Sequence, residues 1–104
     1  MLPEFDDGEV LLCPGCHETY LHQEKIEVFD CPEDQVGIRV VVENQTVLTD
    51  KKVDHNPSQR RQGLLIHFSC EHCSHRPTMA IWQHKGQTFM SFEADPHPNY
   101  LPRT

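Results

Sequence analysis

The chain has 104 residues, a formal net charge of −7, 37% hydrophobic residues and a mean hydropathy of −0.60. That length gives one domain with a lean core, and the acidic balance weighs against non-specific nucleic-acid binding, which relies on a positive surface. No apolar run approaches the ~18 residues of a membrane span, and the acidic residues 1–7 lack the hydrophobic stretch of a signal peptide, so the chain is expected in the cytoplasm, where paired cysteines favour metal over disulfides.

In chain order, residues 1–9 read as an acidic lead-in, 10–94 as a single domain and 95–104 as a proline-containing tail. Val10-Leu11-Leu12 runs into Cys13-Pro14-Gly15-Cys16. Pro14 and Gly15 let the backbone curl so that amide N–H groups point at the cysteine sulfurs. Ile26-Glu27-Val28-Phe29 reads as a strand, and Glu24, Glu27 and Asp30 read as a solvated face. After a turn at 31–35, Ile38-Arg39-Val40-Val41-Val42 and Thr46-Val47-Leu48-Thr49 form a hairpin across Glu43-Asn44-Gln45.

Residues 50–62 make a polar loop longer than most loops of compact domains. It holds Lys51, Lys52, Arg60 and Arg61, four of the nine basic residues, which are the candidate partner contacts. Leu64, Ile66 and Phe68 share one face of a strand that leads into Cys70-Glu71-His72-Cys73. Two further strands, 78–83 and 88–92, flank a turn at Gly86, where positive φ is needed.

The two C-x-x-C pairs carry the chemistry. Two intervening residues let both sulfurs of a pair reach one ion from a tight turn, and Cys13, Cys16, Cys70 and Cys73 together supply the ligand set of a closed structural Zn²⁺ site. Bound zinc would bring the net charge to about −9. Four cysteine ligands leave no position for a catalytic water. Rubredoxin-type iron is an alternative occupant, and a thioredoxin-like role for Cys13 and Cys16 would need a helix starting at the motif. Cys31 lacks a partner, and His17, His72 and His75 beside the pairs are expected around the site rather than in it. No Ser/His/Asp order, phosphate loop or dinucleotide fingerprint is present, so no enzymatic activity is expected.

At the cysteine pairs and their flanks, about 10–30 and 63–93, the sequence resembles a zinc ribbon. The longer pattern adds Val28-Phe29, Asn56-Pro57-Ser58, Arg60-Arg61, Gly63 and Gln83-His84-Lys85-Gly86, and it is similar to small uncharacterised zinc-ribbon proteins of phages and mobile elements. The resemblance implies a mostly β fold, with antiparallel hairpins enlarged into a small sheet or sandwich and two knuckles sharing one zinc. It also implies binding of nucleic acid or protein, mostly without catalysis, and an accessory role in a phage or mobile element. The filled metal site, the acidic balance and the missing catalytic constellation give the first expectation, a non-enzymatic module that meets another protein through the loop held between the knuckles. The alternative is a nucleic-acid-binding zinc ribbon, with the basic loop on phosphates and Trp82 or Tyr20 stacked on a base.

Overall fold

A computed structural model describes residues 2–32 and 35–94. The tail at 95–104 and two residues of the turn at 31–35 lie outside them; the turn is closed by the Gln35 N–H donating to the Pro32 carbonyl at 3.2 Å. The chain is mostly β, and no helix occurs among the described residues. The strands are β1 Phe5–Asp6, β2 Val10–Leu11, β3 Leu21–Asp30, β4 Ile38–Glu43, β5 Thr46–Asp50, β6 Gly63–Cys70, β7 Thr78–His84 and β8 Gln87–Glu93.

Six strands form one antiparallel sheet in the order β5-β4-β3-β6-β7-β8. It is two three-stranded meanders joined along β3 and β6. The tight hairpins are set by consecutive positive φ angles at Asn44 and Gln45 (51° and 62°) and at Lys85 and Gly86 (50° and 75°), the geometry of a type I′ turn. A third such pair, Asp7 and Gly8 (51° and 79°), turns β1 onto β2. The stretch read as a lead-in therefore holds a short hairpin.

Register fixes what each face carries. One cross-strand row runs Thr49, Val40, Val28, Leu64, Ile81, Met90 through all six strands. The next row on the same face is Val47, Val42, Ile26, Ile66, Met79, Phe92. The opposite face contains Glu27, Phe29, Arg39, Leu65, Thr78 and Ala80, all buried. Its apolar cluster is Phe29, Cys31, Leu65 and Ala80, with Val53 and Trp82 packed against it.

The cover over that buried face is the 50–62 loop. His55 and Ser58 are buried, and the Ser58 hydroxyl donates to the Gln83 carbonyl at 2.7 Å. Asn56 crosses Gly63 so closely that a Cβ there would lie 2.0 Å from its Oδ1, so a side chain at the start of β6 would have to push the Asn56 amide off the Ser58 N–H it accepts from. The loop is not between the knuckles. Both central strands run the length of the sheet, with Leu21 opposite Cys70 at the knuckle end and Phe29 opposite Gly63 at the loop end. Seven residues at about 3.3 Å each separate the two ends by about 23 Å.

Glu27 is the main correction to the sequence reading, which placed it on a solvated face. It is 0% exposed. Its Oε1 accepts from Arg39 Nη1 at 2.9 Å, with Lys25 Nζ at 3.6 Å and His55 Nε2 at 3.5 Å. Its Oε2 lies 3.2 Å from His67 Nε2, and the His67 Nδ1 lies 3.3 Å from the Thr78 hydroxyl. Arg39 also donates through Nε and Nη2 to the two oxygens of Asp50 at 3.0 and 2.7 Å, a two-pronged pair. Burial pushes the Glu27 carboxyl up, but the His67 hydrogen bond and the nearby charges of Lys25, His67 and His55 outweigh it, so Glu27 stays below the usual range. The Arg39 hydrogen bond, helped by the Lys52 N–H, holds Asp50 down at about 2.

Arg39→Ala removes the closest cation from buried Glu27 and the partner of Asp50, with Lys25 and His67 still beside Glu27, and is expected to lower unfolding free energy by about 1.5–3 kcal/mol in urea titrations. Because the Asp50 pKa is lower in the folded chain, its contribution is complete above the unfolded value and lost as pH falls. The stability advantage of the wild type over Asp50→Asn is therefore expected to be constant above about pH 5 and to vanish toward about pH 2.

Candidate metal centre

The first knuckle starts where β2 ends. The Cys13 N–H donates to the Glu18 carbonyl at 2.9 Å, and the His17 N–H donates to the Cys13 carbonyl at 2.8 Å. These bonds close a tight loop in which His17 takes a φ of 64°. The second knuckle starts at Cys70, the last residue of β6, where the Glu71 N–H donates to the Tyr20 carbonyl at 3.1 Å. That bond lies just beyond the Leu21–Cys70 pair and continues the β3–β6 pairing. His22 pairs with Glu71 at 2.9 Å, and the Tyr20 ring stacks on His72 with centroids 5.8 Å apart.

These elements bring all four predicted cysteines together, with every Sγ within 4.8 Å of the others. Cys13 Sγ lies 3.7 Å from Cys73 Sγ, and Cys16 Sγ lies 3.6 Å from Cys70 Sγ. A regular tetrahedron with metal–sulfur bonds of about 2.3 Å has edges of about 3.8 Å, so the spacing suits a four-thiolate ion. Each close contact joins one knuckle to the other. An ion held there crosslinks the chain start to the end of β6.

The knuckles match in their backbone chemistry. The Gly15 N–H points at Cys13 Sγ and the His72 N–H at Cys70 Sγ, both at 3.4 Å. Such bonds spread thiolate charge and orient the ligands. Gly15 has a second reason to be glycine: a Cβ there would sit 2.6 Å from the His75 ring, which packs across from the other knuckle. His17, His72 and His75 thus stand around the sulfurs, as expected.

The thiols ionise unequally. Burial pushes Cys70 up, but the N–H groups of His72 and Cys73 and the neighbouring Cys16 and Cys73 bring it down to about 7. Cys73 gains a backbone hydrogen bond from His75, yet burial and the three other sulfurs push it up to about 12. Four adjacent thiolates repel one another, and a divalent cation removes that opposition. The hollow beside the site, bordered by Leu12, Cys13, His17 and Phe92, has a volume of about 10 Å³, at most the space of one water.

The other candidate residues fall elsewhere. Lys51, Lys52, Arg60 and Arg61 are all exposed on the loop; the Arg61 backbone is tied down at both its N–H, which donates to the Ser58 hydroxyl, and its carbonyl, which accepts from Asn56. Trp82 is half-buried and stacks on Phe89 at 5.7 Å, bordering a cleft of about 280 Å³ with Pro57, Gln59 and His84. Tyr20 is 51% exposed but is already stacked on His72. Cys31 is buried away from the cluster and accepts from Asn56 Nδ2 at 3.4 Å. The sequence reading missed the Glu27–Arg39–Asp50 network; the one available signal was a charged residue alternating with apolar ones in both β3 and β4.

No protein-family model matches the chain, and neither curated proteins nor solved structures show a significant match.

The purified chain is expected to bind one divalent ion, and Co²⁺ in its place should show sulfur charge-transfer bands of tetrahedral thiolate coordination. Serine at any of Cys13, Cys16, Cys70 or Cys73 should abolish that spectrum, while Cys31→Ser should leave it unchanged. Gly15→Ala, which drives a methyl into His75, is expected to weaken metal binding by about 10- to 100-fold in chelator competition.

Proposed function

We propose that this chain is a non-enzymatic, zinc-stabilised binding module of zinc-ribbon type, whose role is contact with another protein. The carrying observation is the all-cysteine cluster with cross-knuckle sulfur spacings of 3.6 and 3.7 Å. Such a ligand set fills a zinc ion's four positions and leaves no water to activate, so the metal serves the fold. The hollow beside the site has no room for a substrate, and the long loop is held on the sheet with Lys51, Lys52, Asp54, Arg60 and Arg61 exposed. A rigid scaffold that displays a polar loop suits recognition. In this reading the chain works in the cytoplasm as an accessory protein of a phage or mobile element.

One observation favours a second reading. Lys51, Lys52, Arg60 and Arg61 are all exposed, and such side chains suit phosphate contacts. The net charge of −7 ranks it behind protein contact.

A tagged full-length chain recovered from its native host, with elemental analysis of the same sample, tests both. The expected result is about one zinc per chain and a protein partner whose recovery resists nuclease. Nucleic acid whose recovery falls with salt and with Arg60→Ala plus Arg61→Ala would replace this reading with the second. A visible absorption band with iron in the sample would contradict the zinc assignment.

A further inference from the structure

The sheet has its polarity inside out. An antiparallel sheet with one solvated face ordinarily points polar residues to that side. Here the covered face holds Glu27, Arg39 and His67, and the less covered face holds the two apolar rows. Eleven of their twelve positions are apolar, the exception is Thr49, and none is charged. Val28, Val42 and Met90 are 40%, 42% and 41% exposed, and Val47 is 70% exposed. Leu2, Leu12 and Pro14 share a hollow with Phe92 at the knuckle end, so the N-terminal segment covers only that corner.

We infer that this face is a homodimer interface, occupied by the same face of a second copy of the chain. Three observations select that occupant. The first is size. Six strands about 4.8 Å apart and two rows about 6.6 Å apart give a flat area of about 400 Å² per copy. Two copies then bury about 800 Å², the size of a weak, reversible interface. The second is charge. A two-fold interface sets a patch against itself, so any charge on it faces its own kind. On a chain of net charge −7, an uncharged patch meets its copy without that repulsion. The third is supply. Residues 95–104 contain three prolines and only Tyr100 and Leu101 as large apolar side chains, too few to cover two rows that cross six strands. Two such faces stacked about 10 Å apart, with strands within about 30° of each other, make a β-sandwich.

This inference goes beyond the binding-module reading, which concerns a different protein met through the loop. Sedimentation equilibrium of the metal-loaded full chain, over about 1 to 200 µM, tests it in the range expected for an interface of this size. The expected result is a monomer–dimer equilibrium whose dissociation constant rises at least about tenfold in Val28→Lys and Val42→Lys. Both side chains already reach solvent, and an unchanged Co²⁺ spectrum in each variant shows that the fold is kept. Val36→Lys, on an exposed residue outside the strands, should leave the equilibrium unchanged. A wild type that stays monomeric throughout overturns the inference, even if the same chain captures a host protein. So does a dimer indifferent to both lysines. A chain ending at residue 94 that dimerises where the full chain does not would also overturn it, by making the tail the occupant.

Discussion

The structure depends on the junction of Cys13 and Cys16 with Cys70 and Cys73. The sheet is two local meanders whose only seam is β3 against β6, and these strands are far apart in the chain. Closing the 54-residue separation between Cys16 and Cys70 costs about 4 kcal/mol of chain entropy by the relation used for crosslinks. Against a net stability of about 5–15 kcal/mol for a domain, that cost decides whether the meanders meet. A metal held by the cluster would offset it by fixing Leu21 beside Cys70, after which each further β3–β6 pair closes only a small ring. The backbone bond from Glu71 to Tyr20 and the ring stack of Tyr20 on His72 bring the knuckle and the seam together.

The far end of the sheet is closed by different physics. The buried apolar cluster is small, and a polar loop takes the place of a second layer. What holds that loop down is electrostatic and directional: Glu27 inside, Arg39 bridging it to Asp50, and His55 brought over Phe29 with ring centroids 6.0 Å apart. A buried ion pair adds little stability over an apolar equivalent, but an unmatched one is costly, so the network rejects other loop placements. The cysteine cluster and the network thus serve opposite ends of the same two strands. Function, in the proposed reading, lies in what this frame displays.

Much of the fold was legible because its signals are local. The strands at 38–42, 46–49, 64–69, 78–83 and 88–92 were readable from β-branched runs and turn residues, and the structure extends each by one or two residues. The cysteine cluster was legible because a C-x-x-C pair declares its own geometry. The hairpin at Phe5–Leu11 was masked by its acidic composition, although Asp7-Gly8 is a strong type I′ signal. The Glu27 network was not legible. In Lys25-Ile26-Glu27-Val28-Phe29 the alternation separates two faces without saying which is covered. The choice was made by Arg39 and His55, 12 and 28 residues later, and by a loop whose path no local pattern sets.

The central claim is that the thiolate-bound metal makes the β3–β6 seam possible, and hydrogen exchange measures that directly. The amides of residues 25–29 and 64–68 should be protected together in the metal-loaded chain. Their protection should collapse together when a strong chelator removes the ion, and return when zinc is restored. Seam amides that keep their protection in the metal-free chain would contradict the account, because the sheet would then close without its clamp.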